Sequence, residues 1–257
     1  MPLPESPSSS TIGTDDSVIA VILAAGVGKR FKSDQPKVLS LFRGRPLVHW
    51  VIDTARQAGI GRIILVIGHL GEMIQAACSE SQVEFAWQHE RLGTGHALLQ
   101  TEPMLKDIKG DVLVLLGDAP CIERRTILEL IAVHRSSKAA ATVLTAEVPD
   151  PSGYGRIVRR PDGTLDRIAE HRDADESTRR IREISSGMIC FQTPLIFPVL
   201  HRLTNRNKQG EYYLTDAIGL LRADQHVVIA HQAKDWREVL GVNSPEELAA
   251  LEKGDTG

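Results

Sequence analysis

Val18-Ile19-Ala20-Val21-Ile22-Leu23 leads directly into Ala24-Ala25-Gly26-Val27-Gly28-Lys29-Arg30, and Gln35-Pro36-Lys37-Val38-Leu39 follows. The first six residues are a continuous apolar run, short and rich in Val and Ile, as expected of a strand buried on both faces. The glycines then turn the chain. Lacking a Cβ, they let backbone N–H groups approach a phosphate, and the next helix offers its positive N-terminal end. Arg30 and Lys37 place two cations within one βα unit. A Walker loop needs four residues between its glycines and a Ser or Thr after the Lys, whereas Arg30 follows Gly28-Lys29 here. The dinucleotide fingerprint wants a third small residue where Arg30-Phe31 stands. Two readings of the loop remain: an anion-holding turn, or an ordinary βα turn with solvated cations. Pro36, which fixes the approach to Lys37, favours the first.

Outward from this unit, apolar runs recur at Ile63–Gly68, Val83–Trp87, Val112–Leu116 and Ala140–Glu147. Helical spacing marks Pro46–Ala58, Gly95–Thr101 and Arg124–His134 between and after them. This alternation predicts an α/β fold, a Rossmann-like doubly wound mixed sheet, with ligands at the carboxyl ends of its strands. Gly26 and Asp118 both fall just past a strand end, on that edge. From Pro149 the texture changes. A hairpin is expected from Gly153–Val158, an Asp162-Gly163 turn and Leu165–Glu170. A strand at Ile184–Phe191 and helices at Pro194–Leu203 and Glu211–Arg222 come next. Short strands at Val227–His231 and Glu238–Val242 and a closing helix at Pro245–Lys253 complete the pattern. The division expected is a first, doubly wound part over about 18–148, a small mixed α/β lobe over about 149–244 that extends the sheet and covers the site, and a C-terminal helix over about 245–253.

The 257 residues suffice for one large α/β domain. Thirty Lys and Arg nearly balance 33 Asp and Glu, which argues against nucleic-acid or polybasic membrane partners. An anionic ligand must therefore be held by a local cluster. Cys78, Cys121 and Cys190 have no metal or redox spacing and read as buried thiols. Residues 1–17, rich in Pro and Ser with no basic start, read as a disordered leader rather than a signal peptide. With no apolar segment long enough to cross a bilayer, a cytoplasmic protein is expected.

Several residues could carry chemistry. Asp118, at the end of a buried strand, suits a Mg2+ ion shared with substrate phosphates, or else caps the next helix. Asn243 could supply a neutral oxygen ligand, or cap the helix that starts at Ser244-Pro245. Gln88 and Gly93-Thr94-Gly95-His96-Ala97 form a second glycine loop opening a helix. The Gln88 amide carries both a donor and an acceptor for a nucleobase edge. His96 is expected to pack into the first helical turn rather than act as a base. Gly153, Glu170, Ser185 and Thr215 are groups beside turns that could read sugar hydroxyls.

These stretches, with Gly117-Asp118, Gly153-Tyr154-Gly155-Arg156-Ile157, Glu170-His171, Gly210-Glu211-Tyr212-Tyr213-Leu214-Thr215-Asp216 and Gly241-Val242-Asn243, occur in the order found in sugar-1-phosphate nucleotidyltransferases. The chain resembles that family over roughly residues 18–253. Within it, the likeness is greatest to the N-terminal uridyltransferase half of bifunctional N-acetylglucosamine-1-phosphate uridyltransferases that continue into an acetyltransferase β-helix. The resemblance implies the nucleotide-diphospho-sugar transferase fold, with a nucleotide-binding part over about 18–148 and a sugar-binding lobe over about 149–244. It also implies transfer of a uridylyl group from UTP to N-acetylglucosamine-1-phosphate. Leu23, Ala25, Gly26, Gln88, Gly93 and Thr94 would hold the nucleotide. Arg30 would neutralise the departing phosphates and Lys37 those at the reacting centre. Asp118 and Asn243 would bind Mg2+, and Gly153, Glu170, Ser185 and Thr215 would contact the sugar phosphate. The family often has Asn at the place of Ser185, and some members have Tyr at that of Leu116; both bear on the sugar pocket. Because the β-helix that forms trimers in that family is not in this sequence, a monomer or weak dimer is expected.

The inventory suits the reaction. A sugar 1-phosphate is already an anionic nucleophile, so no Ser/His/Asp or Cys/His set is required; alignment and charge neutralisation are. The alternatives are another sugar phosphate such as glucose-1-phosphate, another nucleotide, or a non-catalytic nucleotide-sugar-binding paralogue.

Overall fold

The computed structural model describes residues 18–26, 28, 31 and 34–253. The expected leader over 1–17 and Arg30 lie outside these residues. The strands are β1 (Val18–Leu23), β2 (Leu41–Phe42), β3 (Arg45–Pro46), β4 (Arg62–Ile67), β5 (Glu84–Trp87), β6 (Asp111–Leu116), β7 (Ala141–Glu147), β8 (Gly155–Arg159), β9 (Leu165–Ala169), β10 (Glu183–Gln192) and β11 (Val228–Gln232). The α-helices are α1 (Leu47–Gln57), α2 (Gly71–Ala77), α3 (Thr94–Leu99), α4 (Glu102–Leu105), α5 (Arg124–Ser136), α6 (Glu176–Arg179), α7 (Thr193–Leu200), α8 (Asp216–Ala223) and α9 (Pro245–Lys253).

Every continuous apolar run of the sequence becomes a strand of one sheet, ordered β11-β7-β10-β6-β1-β4-β5. All neighbours on this path are parallel except β10, which runs antiparallel to both β6 and β7. The β8–β9 hairpin attaches to the start of β10, with Ser185 opposite Gly155. Alternate residues of the strands feed two separate cores. Ile19, Val21, Val66 and Val114 face the helices α3, α7 and α8. Ala20, Ile22, Leu65 and Leu115 face α1, α2 and α5. Burial on both faces is why these strands read as unbroken apolar runs rather than alternating ones.

The chain passes from β1 to β4 and β5 on one side, then crosses to place β6 on the other side of β1. Strand order reverses there, opening a crevice at the carboxyl ends of β1 and β6. Leu23 and Leu116 are register partners at its floor.

Two expected elements differ. Glu211–Thr215 is not helical; α8 starts at Asp216. The Tyr212 N–H donates to Leu92 O (2.6 Å) and the Leu214 N–H to Thr94 Oγ1 (3.0 Å), so this backbone is tied to the second glycine loop instead. Glu238–Val242 is not a strand. Asp235 accepts from the Arg237 N–H and starts a 3-10 turn over Trp236–Val239, while the Val242 N–H donates to Asp118 O (2.9 Å). Of the cysteines, Cys78 and Cys190 are buried as expected, whereas Cys121 is only partly so. Among the described residues no helix is long and apolar enough to cross a membrane.

Candidate functional site

Just past β1, the Ala24 N–H donates to Val66 O (2.9 Å) and the Gly117 N–H to Leu23 O (3.0 Å). The loops after β1 and β6 are thereby pinned together at the strand ends. The two glycines of the first loop differ in use. A Cβ on Gly26 would meet nothing within 4 Å, so its backbone faces open space. A Cβ on Gly28, at φ +59°, would lie 2.7 Å from Lys37 Cβ, so this glycine makes room for the Lys37 stem. The first helical element described after the loop is a 3-10 turn over Lys37–Leu39, and α1 begins only at Leu47. Among the described residues no helix N-terminus serves this loop, and Lys37 is the described cation that its geometry delivers.

Lys37 is the junction of the site. Its ammonium pairs with the Asp118 carboxylate and donates to Asn243 Oδ1 at 3.3 Å. Asp118 does not cap a helix, since α5 starts at Arg124 behind Glu123. Asn243 does not cap one either. Ser244 Oγ accepts from the Glu247 N–H (3.2 Å), while the Glu247 carboxylate accepts from the Asn243 N–H (2.7 Å). This capping arrangement leaves the Asn243 side chain facing the site, steadied by its own donation to Gly241 O (3.0 Å). Two oxygens thus converge on one positive charge. Hard oxygen donors, one ionised and one neutral, are the set that Mg2+ takes when substrate phosphates complete its shell. Among the described residues no cluster of three His, Cys, Asp or Glu could hold a metal by itself.

A groove of about 520 Å³ runs from this junction over the second glycine loop. Leu23, Ala25, Gly26, Lys37, Gln88, Gly93, Thr94 and Asp118 all line it. Gln88 is 4% exposed. Its Nε2 donates to Gly93 O at 3.0 Å and lies 3.1 Å from His96 Nδ1. Gly93, at φ +111°, has no space for a side chain: a Cβ would sit 2.6 Å from Tyr212 O. Arg91 and Glu211 also line this groove and were not singled out from the sequence. Arg91 stands inside the Gln88–Gly93 loop, a position that could have drawn attention to it.

A second cavity of about 210 Å³ continues past Leu116 and Asp118, which border both. Gly153, Glu170, Ser185, Thr215 and Asn243 line it. A register shift in β10 between Ser185 and Ile189, with Gly187 at φ +79°, forms the bulged start of that strand beside the cavity. The Ser186 hydroxyl bonds Leu144 O (2.7 Å), and the Ser185 hydroxyl accepts from the Gly187 N–H (3.3 Å). Thr215 donates to Glu170 Oε1 at 2.6 Å. Burial, with Asp216, Asp173 and Glu211 nearby, pushes the Glu170 carboxyl above the ordinary carboxylate range, against the pull of the Thr215 hydroxyl. Apart from Arg30, every candidate residue of the sequence reading borders one of these two joined cavities.

The chain is similar to known proteins in sequence and in fold. A bifunctional protein GlmU of Geobacillus thermodenitrificans is 44% identical over 234 residues, 91% of this chain and 51% of the relative. One from Acetivibrio thermocellus is 45% identical over 234 residues, 91% of this chain and 50% of its own. The chain spans about half the length of the curated relatives it matches. In three dimensions a UDP-glucose pyrophosphorylase complexed with UDP-glucose superposes with a TM-score of 0.75, covering 93% of this chain and 98% of its own, at 21% identity. That likeness shows the shared nucleotidyltransferase fold. Residues 20–208 match the family described as the MobA-like NTP transferase domain, and the chain belongs to that family.

Proposed function

We propose that the protein transfers a uridylyl group from UTP to N-acetylglucosamine-1-phosphate, giving UDP-N-acetylglucosamine and pyrophosphate. One observation carries this reading. Lys37, Asp118 and Asn243 meet at the border between a groove of nucleotide size and a second, polar cavity, where an α-phosphate and a sugar phosphate would face each other.

The larger groove would take the nucleotide, with the Gly26 backbone open toward its phosphates and Gln88 and Gly93 at the base. The smaller would take the sugar phosphate, its hydroxyls met by Glu170, Thr215 and Ser185. Held there, the sugar phosphate oxygen attacks the α-phosphate in line and pyrophosphate leaves; the entropic cost of alignment is met on binding. Lys37 swings from Asp118 to the phosphates and neutralises charge gathering at the reacting centre. Arg30, outside the described residues, is assigned the leaving phosphates. Mg2+ on Asp118 and Asn243 would supply further charge neutralisation on the triphosphate. The assay that tests this is pyrophosphate release with UTP and Mg2+, comparing N-acetylglucosamine-1-phosphate with glucose-1-phosphate. Preference for the acetylated sugar is expected; preference for glucose-1-phosphate, or no release with either, rejects the proposal.

A further inference from the structure

Arg156 ends the Gly153-Tyr154-Gly155-Arg156 stretch, and the proposed reaction leaves it without a task. It is 1% exposed, the largest of the fully buried side chains. Among the described residues no carboxylate pairs with it. Burial pulls its pKa below the ordinary guanidinium value, while the charge of Asp150 acts the other way. A buried cation without an ionic partner costs stability that an apolar side chain of similar volume would not. Its bonds show where it acts. The β8–β9 ladder begins with Arg156 opposite Ala169, and beyond that pair Tyr154 leaves β8 and Glu170 leaves β9. The guanidinium takes over where the ladder stops. Nη1 donates to Tyr154 O, Nε donates to Arg179 O at 3.3 Å, and Nη2 lies 3.3 Å from His171 Nδ1. A guanidinium has no acceptor, so the ring nitrogen receives this bond. Burial and the charges of Arg156 and Arg179 lower the His171 pKa, which keeps the ring neutral and able to accept at pH 7.

We infer that Arg156 is a positioning residue for the sugar phosphate: by tying Tyr154 to His171 it fixes the gap between the Gly153 turn and Glu170. This rests on the reading that the smaller cavity takes the sugar phosphate. Gly153, Tyr154, Gly155 and Glu170 are all walls of that cavity. A Cβ on Gly155 would lie 3.5 Å from Glu170 Oε1, so the two walls stand close. Successive strand residues face opposite ways, so Arg156 acts from behind the wall that Gly155 presents. The Gly153 turn has bonds of its own, from the Tyr154 N–H to Pro151 O (3.2 Å) and from the Ser152 N–H to Asp150 Oδ1 (2.9 Å). Those bonds shape the turn; the fork of Arg156 ties it to the Glu170 side. On that side Glu170 O accepts from the Asp173 N–H (3.0 Å) and the Ala174 N–H (2.9 Å), and Arg179 Nε donates to His171 O (3.3 Å). The segment from Glu170 to Arg179 is thus closed on itself, and the fork holds it at both ends. Polar recognition from two walls fails when they drift by more than about 0.5 Å.

Steady-state kinetics of the full chain, with sugar phosphate and UTP varied in turn, tests this, alongside calorimetric titration with UTP. Arg156→Met is uncharged and unbranched and removes the fork. It is expected to raise KM for the sugar phosphate about tenfold, the effect of one well-placed hydrogen bond. The kcat, the KM for UTP and the calorimetric UTP affinity are expected to stay near wild type. Arg156→Lys keeps the charge without the fork and is expected to raise the sugar-phosphate KM nearly as much. A sugar-phosphate KM unmoved in Arg156→Met, or restored in Arg156→Lys, overturns the inference. An equal rise in both KM values also overturns it, being the result of a general loosening. His171→Phe, at a half-buried position, removes one acceptor of the fork and is expected to raise the same KM severalfold. Should neither Arg156 variant fold, an unmoved KM in His171→Phe overturns the inference. If wild type prefers glucose-1-phosphate and the split appears with that sugar, this inference stands and the proposed reaction falls. Wild-type turnover of N-acetylglucosamine-1-phosphate without the split does the reverse, and no release with either sugar rejects both.

Discussion

Lys37 donates to Asn243 Oδ1 at 3.3 Å across 206 positions of sequence, and the same ammonium pairs with Asp118, which also borders both cavities. The three side chains are held from different directions: Lys37 by its stem against Gly28, Asp118 by the end of β6, Asn243 by the capped start of α9. Without substrate, the lysine charge lies where oxygen ligands would meet a cation. With substrate, that charge is available to phosphate.

Lys37→Ala should therefore remove a contact that strengthens as charge moves to the leaving group. A loss of ~3–4 kcal/mol of transition-state stabilisation is expected, a fall in kcat on the order of a hundredfold or more. Steady-state kinetics with a thermal melt checks it; a folded variant with near-normal kcat removes Lys37 from the chemistry.

Glu170 gives a prediction with opposite signs for stability and function. Its carboxyl is raised above the ordinary 4.5, chiefly by burial, so the folded chain holds this proton to higher pH than the unfolded chain does. Stability then falls as pH rises from 4.5 through the raised value, and the cost is full above it. Glu170→Gln should raise Tm at pH 7, and the gain should vanish toward pH 4.5. Asp173, Asp216 and Glu211 are present in both proteins, so the difference between the two melting curves reports on Glu170. The same variant should raise KM for the sugar phosphate, as expected where a strained group is kept for binding. A Tm difference that stays flat with pH contradicts the assignment.

How far the sequence could be read depends on the kind of residue. β1, β4 and β6 were legible because two-sided burial leaves an unbroken apolar run. Asp118 was legible because a strand end and a Gly-Asp pair are local. Thr215 was placed as a candidate while its segment was misread as helix, since Glu211–Thr215 is shaped by bonds to Leu92 and Thr94, over 100 residues away. Glu238–Val242 was misread as a strand for the same reason: its apolar residues serve a turn packed on the Asp118 loop, a partner invisible in local spacing. His96 was read as helix packing; from α3 its ring also meets the Gln88 amide, eight positions back across the second glycine loop.

Glu238 extends that last case to stability. It is 4% exposed, in the 3-10 turn that runs into Gly241-Val242-Asn243, and burial pushes its carboxyl up. The Thr126 hydroxyl bonds its Oε2, while Oε1 has no hydrogen-bond partner and Arg125 Nη2 stands 3.7 Å from it. Thr126 lies in the first turn of α5, a helix whose own N-cap residue makes no side-chain capping bond. Glu238 thus brings a carboxylate to the positive end of α5 and fastens the Asn243 segment to it. Thr126→Val keeps the shape and removes the hydroxyl, leaving a buried carboxylate short of its donor. A loss of about 1–3 kcal/mol is expected, read as a lower urea midpoint with unchanged m. Thr126→Ser, which restores the donor, should recover most of it. Because the Val242 N–H bonds Asp118 O beside this turn, its hydrogen exchange should quicken in Thr126→Val. An unchanged midpoint would mean that the helix end and Arg125 hold Glu238 without Thr126, and faster exchange at Val242 with no change in midpoint would confine the loosening to the segment that carries Asn243.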